Sequence, residues 1–185
     1  MNFKVHCNRP VVLTFALIAT VVTLVNLIPG RPLDPFFALG GNFSFVNPFD
    51  YLTLFTHTLG HANFLHLLSN MTFLLLLGPI LEEKYGSKTL LLMMGITALV
   101  TSICYLLLFD NGLLGASGIV FMCITLVSLV NMQDGKIPIT FILVFLIFIG
   151  QEVFHSFQDN QISEFAHIAG GLCGSAFGFA GLRRL

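Results

Sequence analysis

Long apolar runs, separated by short polar turns, make up most of this 185-residue chain. Hydrophobic residues account for 56% of the chain and charged residues for only 9%, whereas a soluble domain typically has about 25% charged residues. A helix that spans a bilayer needs about 20 apolar residues, so the length suffices for about six spans with short connections. The sequence therefore predicts an all-α integral membrane protein with a single membrane domain.

The predicted spans are Val11 to Ile28, Asn63 to Leu81, Lys88 to Phe109, Ser117 to Val130, Ile137 to Phe154 and Glu164 to Leu182. The first run is too long for the apolar segment of a signal peptide, and no small-x-small cleavage site follows it. We therefore expect residues 1–10 to be a tail and residues 11–185 to be the membrane domain. The fourth span has only 14 residues, and the polar stretch after the second span, Glu82 to Gly86, is expected to be a turn.

Basic residues predict the orientation of the chain. If the N-terminus is cytoplasmic, only Arg31 lies outside, and seven basic residues lie inside: Lys4, Arg9, Lys84, Lys88, Lys136, Arg183 and Arg184. Such a bias towards the inside is typical of membrane proteins. We expect a bacterial inner-membrane protein with both termini in the cytoplasm, and the net charge of −1 indicates no binding of nucleic acid.

Four polar side chains occur in runs from which hydrocarbon normally excludes such groups. They are Ser117 in a Gly-Ala-Ser-Gly motif, His66 and Asn70 in the second span, and His167 in the sixth. Counted from the cytoplasmic ends at ~1.5 Å per residue, Ser117 and His167 lie at heights of about 21 and 24 Å, and His66 and Asn70 at about 24 and 18 Å. Because the hydrocarbon core is about 30 Å thick, we expect all four at one level inside the bilayer.

The short fourth span predicts a cavity. A run of 14 residues cannot cross a core of about 30 Å, so the loop from Asn111 to Ala116 must dip into the membrane. Irregular backbone is tolerated there only where protein buries it or water lines it. A water-accessible cavity around Ser117 is therefore expected.

A serine hydroxyl becomes a nucleophile when a neighbouring base takes its proton, and neutral imidazole is the usual base near pH 7. His167 is the candidate base. Below it, Gly170, Gly174 and Gly178 recur at every fourth position, and such a stripe would let the sixth span pack closely on the fourth. The alternative is a packing stripe alone, with the histidine bonded to a backbone carbonyl.

His66 and Asn70 are four residues apart and therefore share one helix face. Both side chains can donate hydrogen bonds, so together with the backbone N–H of Ser117 they could stabilise an oxyanion. The alternative is that they only bond neighbouring helices.

His57, His61 and His66 raise the question of a metal site. A zinc metalloprotease would need the general-base glutamate of a HExxH motif, and the stretch from His57 to His61 has none. We expect no metal and no cofactor, and we place His57 and His61 nearer the membrane surface as structural hydrogen-bond partners.

In combination these residues resemble the rhomboid family of intramembrane serine proteases. The likeness covers roughly Val11 to Gly181. Its motifs are Gly115-Ala116-Ser117-Gly118, similar to GxSG; Phe55 to His61 with His66 to Asn70, similar to the second-span signature; Glu83 to Ser87, similar to the turn that follows; and Ala166 to Gly170, similar to the histidine segment of the last core span.

The resemblance implies a six-transmembrane-helix bundle whose short fourth helix carries the serine. It implies a Ser117/His167 dyad without an acidic third member, with oxyanion donors at His66, Asn70 and the Ser117 backbone. It also implies cleavage of transmembrane protein substrates near the outer membrane face, usually after a small residue, and a gate around the fifth span and the Gln158-Asp159 loop. The partners are then these substrates and the lipid bilayer, and no oligomeric state is indicated.

The chain departs from the family pattern at two places. Leu52-Thr53 stand where the family commonly has a Trp-Arg pair in the first loop, so the anchoring of that loop stays open. Phe121 stands where the family often has a tyrosine packed on the histidine, so stacking on His167 should survive without the hydroxyl's hydrogen bond.

Two other functions are alternatives to proteolysis. A catalytically inactive rhomboid-like binder of membrane clients would be indicated by loss of the serine or histidine, or by a proline directly before the serine, and the sequence shows none of these. A small transporter that uses His66 and His167 as a proton path would be indicated by acidic groups within several spans, but the acidic residues lie at span ends.

Overall fold

The apolar runs form helices in the computed structural model, which describes residues 9–40, 43–130, 136–155 and 164–181. In chain order the helices are α1 (Pro10–Asn26), α2 (Asp34–Phe37), α3 (Asp50–Thr56), α4 (Phe64–Tyr85), α5 (Ser87–Leu108), α6 (Ser117–Ser128), α7 (Ile139–His155) and α8 (Glu164–Ala180). A 3-10 turn, His57–Leu59, follows α3, and two short strands, β1 (Leu39–Gly40) and β2 (Gly112–Leu113), pair with each other. The fold is mostly helical, as predicted, and the strand pair was not foreseen.

Two helices, α4 and α5, are long and apolar enough to cross a membrane, with 22 residues each. The helices α1 and α6 and the first part of α7 are apolar but shorter, and α8 has 17 residues. Large apolar side chains such as Leu65, Leu76 and Leu107 are exposed on the outer faces of α4 and α5, and contiguous apolar surface of this kind marks a membrane or partner contact. Six membrane crossings stay a prediction.

The expected turn from Glu82 to Gly86 is wrong for its first four residues, because α4 continues to Tyr85 and stops at Gly86, whose φ is +84°. Glu82 is only 3% exposed. Its carboxylate accepts the backbone N–H groups of Val11 and Val12, both at 3.1 Å, and the hydroxyl of Ser87 at 2.7 Å. Because these N–H groups begin α1 and have no partner within that helix, the buried carboxylate stabilises the starts of two helices.

Helix α6 lies at the centre of the bundle, and nearly all residues from Gly118 to Leu126 are buried. The glycine stripe of α8 packs against it: a Cβ at Gly170 would lie 2.0 Å from the carbonyl oxygen of Gly118, and one at Gly174 would lie 2.2 Å from that of Met122. The close approach predicted for these two helices is confirmed.

The first loop is held at three places. Arg31 forms an ion pair with Asp34 at 2.6 Å and donates to the carbonyl oxygen of Ala62 at 2.8 Å. Asn26, at the end of α1, donates to Asp34 at 2.9 Å. Further along, Leu39 pairs with Leu113 in the β1–β2 ladder. These contacts answer the question of how the loop is anchored without a Trp-Arg pair.

Candidate active site

Ser117 is the first residue of α6. Glycine is favoured on either side of it, at Gly115 and at Gly118, for different reasons. Gly115 has a φ of +128°, a conformation that favours glycine. A Cβ there would also lie 2.6 Å from Cε1 of His66, so the His66 ring occupies the space beside the serine loop. Gly118 faces α8, where a Cβ would lie 3.3 Å from the carbonyl oxygen of Ala166.

Two histidines hold the loop that leads to the serine. The N–H of Gly115 donates to the carbonyl oxygen of His57 at 2.9 Å, and the N–H of Ala116 donates to Nε2 of His61 at 3.4 Å. Because Nε2 accepts, the neutral His61 ring carries its proton on Nδ1, which lies 3.3 Å from the carbonyl oxygen of Leu59. The backbone before Ser117 is therefore fixed from the segment between α3 and α4.

His57 and His61 are structural hydrogen-bond partners, as expected, and both are buried. Nδ1 of His57 donates to the carbonyl oxygen of Thr53 at 3.0 Å and lies 3.2 Å from Oγ of Ser102 on α5. Burial lowers the pKa of His57 to about 4, and burial, with a smaller contribution from the charge of His66, lowers the pKa of His61 to about 4. Both rings are therefore neutral at pH 7, and Nε2 of His61 stays an acceptor.

A cavity of about 580 Å³ is present where the short fourth span predicts one. The four polar side chains singled out in the sequence, Ser117, His66, Asn70 and His167, all line it. They come from α4, α6 and α8, which are far apart in the chain. The fold thus brings a hydroxyl, two imidazoles and an amide to the wall of one cavity.

His167 is oriented by an aromatic stack. Its ring lies parallel to that of Phe121, with 4.4 Å between centroids and 5° between planes, so the expected stack is present. Phe121 in turn meets Phe148 of α7 edge-on at 5.8 Å. Since Gly170, one turn after His167, touches Gly118, the close approach of α6 and α8 lies at the level of these two side chains.

Asn70 is 5% exposed, and its Nδ2 has no hydrogen-bond partner among the described residues. Leaving a buried donor unsatisfied is unfavourable, and an anion in the cavity would be a suitable partner for it. His66 is the third residue of α4, and its N–H donates to Oδ1 of the N-cap Asn63 at 2.8 Å. Its ring lies 5.1 Å from that of His61, edge to face.

One buried carboxylate near His167 in the chain was not foreseen as part of the surroundings of the site. Glu164 begins α8 one turn before His167; it is buried, and its Oε1 has no partner within the described part of the chain. In the same part of the chain, no three side chains of His, Cys, Asp or Glu converge as a metal site would require. The expected gate loop, Gln158-Asp159, lies outside the described residues.

Comparison with known proteins adds two findings. A family model described as "Rhomboid domain" matches residues 48–184, which is well over half of the chain. The rhomboid protease GlpG of Haemophilus influenzae is 25% identical to this chain over 127 residues, which cover 67% of this chain and 66% of that protein. The chain thus matches just under two thirds of the length of this relative.

Proposed function

The chain belongs to the rhomboid family, and from this premise we propose that it is an intramembrane serine protease that cleaves transmembrane protein substrates with a Ser117–His167 dyad. The observation that carries the proposal is the cavity of about 580 Å³ that Ser117, His167, His66 and Asn70 line together. A hydroxyl beside an imidazole and a set of hydrogen-bond donors is the equipment of acyl transfer.

In the proposed reaction, His167 takes the proton of the Ser117 hydroxyl as the oxygen attacks the carbonyl carbon of the substrate. The tetrahedral intermediate collapses when His167 returns the proton to the leaving amine, which leaves an acyl-enzyme ester on Ser117. Water, activated by the same imidazole, then hydrolyses this ester. No acidic residue is assigned to orient the imidazole of His167. In this proposal the parallel stack on Phe121 orients it instead.

The oxyanion of the intermediate is assigned to three donors: the Asn70 amide, the His66 ring and the Ser117 N–H. The Asn70 assignment is supported by its buried Nδ2, which has no partner among the described residues. The N–H groups at the start of a helix have no partner within the helix and point along the positive end of its dipole. The backbone N–H of Ser117 at the start of α6 suits the same role.

We place the chain in the membrane with six spans and both termini in the cytoplasm, residues 11–185 forming the protease domain. The seven-to-one distribution of basic residues supports this orientation. In it, the cavity lies below the outer surface, so cleavage is assigned to the outer side of the bilayer. Phe148 lines the cavity from α7 and touches Phe121, which supports substrate entry beside the fifth span.

The test is labelling and cleavage with Ser117→Ala. We expect the wild type to react with an activity-based fluorophosphonate and to cut a tagged transmembrane substrate when the two are co-expressed, and Ser117→Ala to do neither. Ser128→Ala is a matched control, because this serine lies at the other end of α6 and its hydroxyl donates to the carbonyl oxygen of Thr125. Full cleavage by Ser117→Ala would remove the serine from the mechanism. A wild type that neither labels nor cleaves would favour the inactive client binder.

A further inference from the structure

A second cavity, of about 560 Å³, lies between α1 and α5 and shares no lining residue with the cavity at Ser117. Its walls are almost wholly apolar and include Val11, Phe15, Ile18, Leu91, Met94 and Ile119. Ile119 is its contact with α6, whereas the neighbouring Val120 lines the candidate active site. The two cavities therefore lie on different faces of the central helix. We call this second cavity the α1–α5 groove.

One end of the α1–α5 groove lies at a defined level. The Glu82 carboxylate binds the first N–H groups of α1 and the hydroxyl of Ser87 at the start of α5, so both helices begin side by side. Lys88 follows at once on α5, and it lines an adjoining pocket that shares Phe55, Leu91 and Gly95 with the groove. Lys88 is exposed, and no carboxylate of the described residues pairs with its ammonium group.

The α1–α5 groove and the adjoining pocket together match one leaflet in length. From Lys88, in the adjoining pocket, to Ala98, the last groove residue on α5, the helix rises by ten residues, or about 15 Å. This is half of a hydrocarbon core of about 30 Å. Water does not fill an apolar cavity of this kind, and α5 is one of the helices able to cross the membrane. The groove thus has apolar walls and a depth that suit a lipid tail. The cation Lys88 lies in the adjoining pocket.

We propose that the α1–α5 groove binds one acyl chain of an anionic phospholipid whose phosphate pairs with Lys88. The proposal rests on the membrane location that family membership implies and not on the chemistry of Ser117. A basic residue close to an anionic headgroup supports about a fivefold preference over a zwitterionic lipid. The lipid would also contact Thr58 and Leu59, in the 3-10 turn whose His57 carbonyl holds the serine loop.

The test is lipid binding to the wild-type chain, purified in detergent and titrated with phosphatidylglycerol or with phosphatidylcholine of the same acyl chains. Native mass spectrometry counts the bound lipids. We expect one saturable site with about fivefold tighter binding of phosphatidylglycerol. Lys88→Gln should abolish this preference, whereas Lys136→Gln, an exposed lysine that lines neither pocket, should keep it. Equal binding of both lipids by the wild type would overturn the headgroup assignment.

Filling the groove tests its position. A Cβ at Gly95 meets nothing within 4 Å, so Gly95→Leu can enter the groove without a backbone clash and should abolish saturable binding. Leu91→Phe narrows the same wall and serves if Gly95→Leu does not fold. Leu107→Phe, at the far end of α5 and 78% exposed, should bind as the wild type does. Unchanged lipid binding by the filling variants would overturn the proposal. So would a wild-type dimer that the filling variants disrupt, because a second copy of the chain would then occupy the groove. Because no proteolysis is measured, either result leaves the proposed protease activity to its own test.

Discussion

Asn70 is the residue whose surroundings best support the proposed oxyanion role. It is 5% exposed, yet its Nδ2 has no partner among the described residues. An unsatisfied buried donor costs roughly 1–3 kcal/mol, so such a group contributes little to folding. An oxyanion in the cavity would supply the missing acceptor, and this difference between resting and reacting states is what catalysis requires.

For Asn70→Ala we expect a lower kcat with little change in KM, because an interaction that is absent from the ground state cannot weaken substrate binding. One lost donor in a preorganised site costs on the order of 3 kcal/mol, or about a hundredfold in rate, and water in the cavity would reduce this. The expected loss is therefore between a few-fold and about a hundredfold, with His66→Ala at least as severe.

Thermal stability separates this role from a structural one. Asn70→Ala should lower the free energy of unfolding by no more than a typical intramembrane hydrogen bond, about 0.6 kcal/mol. A variant that unfolds, while its folded fraction keeps full kcat, would show that Asn70 is a packing residue and that the oxyanion assignment is wrong.

The buried histidines His57 and His61 predict a pH-dependent stability. Both have their pKa lowered from 6.5 to about 4, so between these values the unfolded chain binds more protons than the folded one. Stability should therefore be constant above pH 7 and fall as the pH drops from about 6.5 towards 4, by up to roughly 3 kcal/mol per histidine. Thermal unfolding in detergent at pH 7.5, 6 and 5 measures this effect.

His61→Gln provides the matched variant, because an amide oxygen can still accept from the N–H of Ala116 but does not titrate. Its Tm should depend less steeply on pH below 6.5 than that of the wild type. Equal slopes for the two proteins would mean that His61 is not the titrating group.

The sequence alone could single out Ser117, His66, Asn70 and His167, which line one cavity. A polar side chain in an apolar run stands out. The roles of other groups depended on the path of the chain in three dimensions. The histidine cluster was visible, but that His61 accepts from Ala116 follows from where the loop before α6 runs. Arg31 looked like the single outer cation, and its ion pair with Asp34 became apparent only with the loop folded.

Among the helices, the contact between α6 and α8 determines the geometry of the candidate site. Gly170 and Gly174 allow their backbone to approach that of α6, and the spacing of glycines at every fourth position predicted this contact. Helix ends were less predictable than helix positions. Hydropathy ends the second span at the first glutamates, whereas the structure buries Glu82 inside α4 because two helix starts need its carboxylate. The β1–β2 pair of two residues per strand is too short for any pattern to indicate.

Gly170→Ala tests the helix contact. Its Cβ would lie 2.0 Å from the carbonyl oxygen of Gly118, so the helices must separate, and overpacking of this kind typically costs about 1–3 kcal/mol. We expect a lower Tm and a large loss of activity, since His167 lies one turn away. Gly150→Ala is the stability control, because a Cβ there meets nothing within 4 Å. A Gly170→Ala protein as stable and active as the wild type would contradict the close packing.

At the scale of the whole molecule, the short α6 is the element on which the predicted six-span topology depends. Its 12 residues give a length of about 18 Å, against a hydrocarbon core of about 30 Å. The helix is buried among its neighbours along nearly its whole length, so protein rather than lipid surrounds it, and the backbone before it is bonded to His57 and His61. Such surroundings are what irregular backbone needs within a membrane.

The last prediction concerns orientation. Val46, in the first loop, is 91% exposed, and Lys136, after α6, is also exposed; three predicted crossings, α4, α5 and α6, separate them. In a variant without its four native cysteines, Val46→Cys should react with a membrane-impermeant maleimide in intact cells, and Lys136→Cys only after the cells are permeabilised.

The cysteine-free parent should not react, and retained cleavage activity would show that each variant folds. The reverse pattern would mean an inverted chain, against the distribution of basic residues. Reaction of both positions from outside would mean that one of the three helices does not cross the membrane. The short α6, with 12 residues, would then be the first candidate for a helix that does not cross.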